Sequence, residues 1–275
     1  MGQTLLTLTN VAKSFKEVEA LIKVDLEIHS GQVVGLVGGN GAGKTTLLRL
    51  MAGVMEPTKG TIYFQNNPVS SMRDKLGVVP ESTGLYSRLT AWENIRYHSR
   101  IYGISDEVAW NRVSHFAQML DLNDSLSRHT KGFSRGMRQK TALLRALAHG
   151  PDILLLDEPT AGLDVTSART VRKLVGQLRD EGGTVIYSTH HLAEAQQVCD
   201  RIIIVHNGTI RADGSPNELL LLTGKDSLEE AYVSLTSDKA RTRTEDAKKE
   251  SKLSKWWRKF LTGRTPKIEG VDESE

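Results

Sequence analysis

The stretch GGNGAGKTTL, residues 38–47, limits what this chain can fold into more than any other. Four of its first six residues are glycine (Gly38, Gly39, Gly41 and Gly43), poor material for a helix or a packed core. It follows the apolar run VVGLV, residues 33–37, and leads into Lys44, Thr45 and Thr46. That order predicts a buried strand, a tight loop and a helix. The spacing G-x-x-x-x-G-K-[ST] is met at Gly38, Gly43, Lys44 and Thr45, in the setting that a phosphate cradle needs. Backbone N–H groups from Gly38 through Asn40, Ala42 and Gly43 can turn inward around phosphate oxygens, and the helix N-terminus adds positive partial charge. Lys44 supplies a point charge for β- and γ-phosphates, and the Thr45 hydroxyl suits Mg²⁺. The plain alternative, a glycine-rich turn with an incidental lysine, fits the flanking strand and helix poorly.

Four further apolar runs read as buried strands: KLGVV (75–79), DILLL (152–156), TVIYS (184–188) and RIIIV (201–205). Their near-continuous apolar character suits a sheet covered on both faces. Helices between them have legible ends. TAWE at 90–93 has capping-box spacing, SPNE at 215–218 adds a proline at the first helical position, and HGP at 149–151 stops a helix that begins near Ser134. HNGT at 206–209 predicts a hairpin. The alternation gives an α/β domain with a largely parallel core sheet. From Thr90 to about Leu126 the pattern is helical without a strand, which predicts an inserted helical lobe.

The run DILLLDEP supplies the second half of a phosphate site. Asp157 and Glu158 follow an apolar strand whose C-terminal end should face the loop at 38–43 in the same sheet. Asp157 suits Mg²⁺ through its water shell, and Glu158 suits a general base acting on water. A solvated strand end is the plain reading of two adjacent carboxylates, and the upstream loop argues against it.

Composition is that of an ordinary globular chain, with 39% hydrophobic and 25% charged residues. The N-terminus lacks the pattern of a secretory signal, and the longest run without Asp, Glu, Lys or Arg, residues 28–43, is too short and too glycine-rich for a membrane span. The single cysteine, Cys199, reads as a small apolar side chain in a reduced setting. The net charge of +3 hides an asymmetry: residues 248–267 carry eight basic side chains and one acidic.

With these motifs in order, the chain resembles the ATP-binding subunits of ABC transporters over roughly residues 4–235. FSRGM (133–137) resembles that family's signature, AGLD (161–164) its D-loop, and STH (188–190) its switch histidine. The resemblance implies a P-loop NTPase of ABC type: a mostly parallel core sheet, an antiparallel β subdomain and a helical lobe over about 85–150. It implies ATP and Mg²⁺ as ligands, Phe15 stacking on adenine, and Glu158 and His190 as catalytic residues. His191 then reads as a surface residue. Ser134 and Gly136 would cover ATP held by a second ATPase subunit in a head-to-tail dimer. Two departures stand out: Arg135 takes the place of the signature's first glycine, and Glu81 aligns with a glutamine that contacts the metal. Glu81 remains a candidate Mg²⁺ ligand beside Thr45 and Asp157. The wording GLYSRLTAWENIRY, residues 84–97, looks like the export branch that includes sodium-extrusion and drug-efflux ATPases.

The expected division is an ATPase domain over 1–222, a C-terminal helix packing on it over 223–237, and a mobile charged tail over 238–275. Within the tail, Leu253, Trp256, Trp257, Phe260 and Leu261 form one apolar stripe on a helix, with Lys252, Lys255, Arg258 and Lys259 on its other faces. An anionic membrane surface, packing on protein, and nucleic acid are its open readings, the last the weakest. The expected function is the cytosolic ATPase subunit of an exporter, peripheral on the cytoplasmic membrane face and driving a separate membrane permease. The alternative is a soluble ABC-type ATPase acting on nucleic acid or ribosomes. Only one phosphate loop and no intervening heptads occur, which counts against it.

Overall fold

In chain order the strands and helices are β1 (Thr4–Phe15), β2 (Val18–His29), β3 (Val33–Val37), α1 (Lys44–Met51), β4 (Lys59–Phe64), β5 (Asn67–Pro68), β6 (Leu76–Val79), α2 (Ala91–Ile101), α3 (Asp106–Met119), α4 (Arg135–Leu147), β7 (Ile153–Asp157), α5 (Val165–Asp180), β8 (Thr184–Thr189), α6 (Leu192–Val198), β9 (Arg201–His206), β10 (Thr209–Gly214), α7 (Pro216–Thr223) and α8 (Leu228–Thr236). The computed structural model describes residues 2–237. The tail 238–275, with its segment 252–261, lies outside the described residues. One unit runs Met1–Ala231, and a second begins at Tyr232.

The five apolar runs become neighbouring parallel strands in the order β6-β7-β8-β3-β9. Every residue of β3, β7 and β8 is buried, because helices cover both faces and no alternation is needed. Each fully buried Val, Leu or Ile there stabilises the fold by roughly 1.5–3 kcal/mol. Gly35 sits in mid-strand for a packing reason: a Cβ would lie 2.8 Å from the Cys199 sulfur. Cys199 is buried, and burial pushes its thiol well above the ordinary range, so it is core rather than nucleophile.

Beyond β9 the sheet turns antiparallel. The β9–β10 hairpin closes through Asn207 and Gly208, both at positive φ as a type I′ turn requires. A single parallel pairing, Thr209 with Lys23, joins β10 to β2, and β2, β1, β4 and β5 then continue antiparallel. The antiparallel subdomain expected from the resemblance is therefore present.

The helical stretch holds α2, α3 and α4. Thr90 caps α2 in a full capping box with Glu93, and Ser215 with Glu218 does the same for α7. Ser134 caps α4, and Gly150 at φ +74 ends it. At its far end Arg145 donates to the carbonyls of Thr83 and Gly84 at 2.7 and 2.9 Å, fastening the loop after β6 to α4.

Strand register sets up the site. Val37 pairs with Thr189, Asp157 with Ser188, and Val79 with Leu156. The residues that follow, Gly38, His190, Glu158 and Glu81, thus leave the sheet along one edge, at the carboxyl ends of parallel strands.

One consequence of the lobe's packing can be measured. His98 on α2 lies beside Tyr102 and His149, and the His149 ring stacks on Tyr102 at 4.4 Å. Burial, with the nearby Arg145 and His149 charges, pushes His98 down to about 4 from 6.5. Burial also lowers His149. His98 is neutral when folded and takes up a proton on unfolding, and His149 is shifted in the same direction, so this contribution is intact above pH 6.5 and, for His98, lost as pH falls through 6.5 toward 4. The melting temperature should drop across that window. A His98→Phe variant should show a shallower drop, by an amount on the order of 2–4 °C. Parallel curves for the two proteins would refute the assignment.

Candidate active site

The loop between β3 and α1 holds its shape because side chains have no room there. A Cβ on Gly38 would lie 2.3 Å from the Val205 carbonyl oxygen. One on Gly43, at φ +109, would lie 2.8 Å from both the Ala20 carbonyl and a Leu21 methyl. Gly43 caps α1 without any side-chain hydrogen bond, and the first turn carries no acidic residue. The first N–H groups of α1 therefore face the loop's concavity uncapped, which suits an anion.

Lys44 folds back into that concavity. Its side chain is only 6% exposed, and Nζ donates to the Gly38 and Gly39 carbonyls at 2.6 and 3.3 Å. The third neighbour is Glu158, whose Oε1 lies 3.4 Å away. Oε2 of the same carboxylate lies 2.9 Å from His190 Nδ1, a pairing that places a proton on that nitrogen. Glu158 itself stands at φ +48, uncommon for a residue with a side chain and worth of order 1–3 kcal/mol of strain. Its neighbour Asp157 is buried and accepts from Thr45 Oγ1 at 3.2 Å and from Ser188 Oγ at 2.9 Å.

Lys44, Glu158 and His190 line a cleft of about 550 Å³, together with Phe15, Val18, the rest of 39–46, Glu81 and Ala161, while buried Asp157 is outside the lining and reaches it only through its hydrogen bond with Thr45. Phe15 stands 43% exposed at the cleft with the Lys13 ammonium 5.3 Å over its ring, so it is not plain core. Glu81 lies at the exposed rim. Gly39, Asn40, Gly41, Ala42, Gly43, Thr45 and Thr46 line the floor, and Gly38 accepts from Lys44 beneath it. His190 is in the cleft lining; His191 beside it is exposed.

Ser134 and Gly136 are not part of this cleft. Ser134 is exposed, and its hydroxyl accepts from Met137 N as a helix cap. Gly136 is buried where a Cβ would meet Ser167 Oγ at 2.7 Å. Arg135 lays its guanidinium on Gly162, whose added Cβ would fall 2.4 Å from Nη1. Arg135 thus packs on the glycine of the AGLD segment.

The donor set around Thr45 and Asp157 consists of hard oxygens, as Mg²⁺ prefers. Among the described residues no cluster of three His, Cys, Asp or Glu could hold a metal by itself. A hydroxyl and a carboxylate beside a phosphate cradle still fit Mg²⁺, which keeps waters and takes phosphate oxygens as further ligands.

Sequence reasoning did not find the polar network under the site. Glu194, on α6, accepts from Thr160 Oγ1 at 2.7 and 2.9 Å and from Thr189 Oγ1 at 3.1 Å, and pairs with Arg172 at 3.3 Å. Only Thr189 had a local cue, its place beside His190.

If Lys44 holds phosphate, Lys44→Ala should weaken ATP binding about 10–100-fold, the scale of one charge-assisted contact. Isothermal titration of the full chain measures it, and unchanged affinity would remove Lys44 from the site.

The ABC transporter family model matches residues 21–161. The chain is 39% identical over 224 residues to the ABC transporter ATP-binding protein NatA of Bacillus subtilis, covering 78% of this chain and 91% of that one. It is 33% identical over 220 residues to the Nod factor export ATP-binding protein I of Cupriavidus pinatubonensis, covering 78% and 68%. Among solved structures it superposes, with a TM-score of 0.71 and 29% identity, on the dimeric post-hydrolysis state of the ATP-binding cassette MJ0796 bound to ADP and Pi, covering 77% of this chain and 98% of that one. With a phosphate loop, two carboxylates at a strand end and a cleft of matching chemistry, the chain belongs to the ABC transporter family, as one of its ATP-binding, ATP-hydrolysing subunits.

Proposed function

We propose that this subunit energises export through a separate membrane permease, and that Glu158 is its catalytic base. The observation that carries the catalytic part is the Glu158 carboxylate, held between Lys44 at 3.4 Å and His190 at 2.9 Å. In this reading phosphate takes over Lys44, which turns Glu158 toward the attacking water. Water's oxygen bonds to the γ-phosphorus, its proton passes to Glu158, and the bond to the bridging oxygen breaks to give ADP and phosphate. His190 donates from Nδ1 and keeps Glu158 aimed. Phe15 carries the adenine. Thr45 and Asp157 would hold Mg²⁺, with Glu81 at the rim, and the ion supplies neutralising charge at the phosphate oxygens when bound.

The signature residues serve a second copy of the chain. Support comes from Ser134, exposed at the start of a 13-residue helix and outside its own cleft, and from the dimeric form of the similar cassette. Export is supported by the role of the similar Nod factor export ATP-binding protein. No helix among the described residues is long and apolar enough to cross a membrane, which is consistent with a separate permease. The lobe and the loop 81–86, fastened by Arg145, form its docking side on the cytoplasmic face. For the tail, the stripe at 252–261 supports, from sequence alone, a contact with an anionic membrane surface.

Glu158→Gln should bind ATP normally and hydrolyse it at least about 100-fold more slowly, the scale of losing a general base. The tagged variant, captured with ATP from detergent-solubilised membranes of its host, should bring down a multi-span membrane protein in near-equal amount. Recovery of nucleic acid or soluble factors alone would overturn the transport reading, and a wild-type hydrolysis rate would move the base elsewhere.

A further inference from the structure

The pair Glu158 and His190 is set by two loops that the sheet does not hold. Glu158 lies past the last pairing of β7 and stands at φ +48, and His190 follows the last residue of β8. One buried carboxylate reaches the loop of Glu158 through Thr160 and the end of β8, just before His190, through Thr189. Glu194 is 8% exposed. Its oxygens accept from Thr160, two residues past Glu158, and from Thr189, one residue before His190. Arg172 on α5 balances its charge at 3.3 Å. The turn at Glu158 is closed by Ala161 N donating to the Glu158 carbonyl at 3.1 Å, and Thr160 is the next residue back. Thr189 Oγ1 also accepts from His191 N at 3.0 Å, which fixes the chain on the other side of His190. Tyr187 completes the network, its hydroxyl 3.4 Å from Thr160 Oγ1. Burial, and then the Glu194 charge, raise the Tyr187 phenol far above its ordinary value, so it stays a protonated donor.

We infer that Glu194 is a positioning residue for hydrolysis: by gripping Thr160 and Thr189 it fixes the spacing of Glu158 and His190. The chemistry explains why a carboxylate is needed. Two hydroxyls and a guanidinium converge on it, all donors, and only an ionised carboxylate accepts from all three. A glutamine of the same shape offers one acceptor oxygen, turns its NH₂ toward a donor, and leaves Arg172 uncompensated. The strained backbone at Glu158 is the part most dependent on this grip, since such conformations persist only when the surroundings over-determine them. A misplacement on the order of 1 Å at a reacting group costs up to about 100-fold in rate.

The inference rests on Glu158 as the base, so Glu158→Gln is measured alongside. Wild-type hydrolysis in that variant would sink the base assignment; a dead Glu158→Gln beside a normal Glu194→Gln would sink only the role of Glu194. In the full chain, Glu194→Gln should lower kcat about 10–100-fold while KM and ATP affinity stay within about 2-fold. A purely structural role would act independently of His190. The discriminating measurement is therefore a cycle with His190→Ala, in single-turnover assays. If Glu194 works through the pair, adding Glu194→Gln to His190→Ala should cost less than about 3-fold more. A full further loss in that background, or a kcat within about 2-fold of wild type, would overturn the inference. Should Glu194→Gln fail to fold, Thr160→Val removes only one donor from the same network. It is held to the same limits on kcat, affinity and the cycle.

Discussion

The Lys44 ammonium is buried, and a buried charge has to be matched where it lies. The chain matches it with two carbonyls of its own loop and one carboxylate from just past the end of β7. That requirement organises the rest of the cleft. The loop can present its carbonyls only if it hugs the ends of β9 and β2, which is why Gly38 and Gly43 tolerate no Cβ. The carboxylate can reach Lys44 only if β7 ends level with β3, which the register through β8 secures. In the proposed function phosphate and Glu158 compete for this one cation, so that nucleotide arrival and release of the carboxylate would be the same event.

Parallel pairing brings the loops together but cannot aim their side chains. Beyond the last ladder bond each loop is free to pivot, and Glu158 occupies backbone space that costs free energy. Hydrogen bonds from beneath supply what the sheet lacks: Ser188 and Thr45 to Asp157 on one side, Thr160 and Thr189 to Glu194 on the other. The geometry therefore belongs to two layers, a register that delivers residues and a buried polar layer that orients them.

What was legible in the sequence follows from this division. The core strands, both capping boxes, the hairpin at Asn207 and Gly208 and the phosphate loop all have local signatures, so spacing alone located them. β1 and β2 carried no such mark: each is twelve residues long, mixed in polarity and broken by register shifts, and the antiparallel layer was expected only through family resemblance. Of the orienting layer, Thr45, Asp157 and the run 188–190 carried local cues, and the Glu194 and Arg145 contacts carried none. Glu194 meets Thr160 across 34 residues and Arg145 meets Thr83 across 62. In sequence each looks like an ordinary charged position on a helix. Their roles exist only once helices have been laid against strand ends.

The two positions that the family resemblance singled out, Glu81 and Arg135, lie toward opposite ends of α4. Arg135 opens α4 and rests on Gly162, while near the other end Arg145 clasps Thr83 and Gly84, just past Glu81. A helix of 13 residues is a rod of about 20 Å, stiff on the scale of loop motion. Its C-terminal end is anchored further, since Arg112 donates to the Ala148 carbonyl at 3.4 Å and fills the space above Gly150. At the other end of the helix Ser134 and Arg135 lie outside the chain's own cleft, with Arg135 against Gly162. The loop that follows Glu81 and the Arg135–Gly162 contact are thus held at the two ends of one helix.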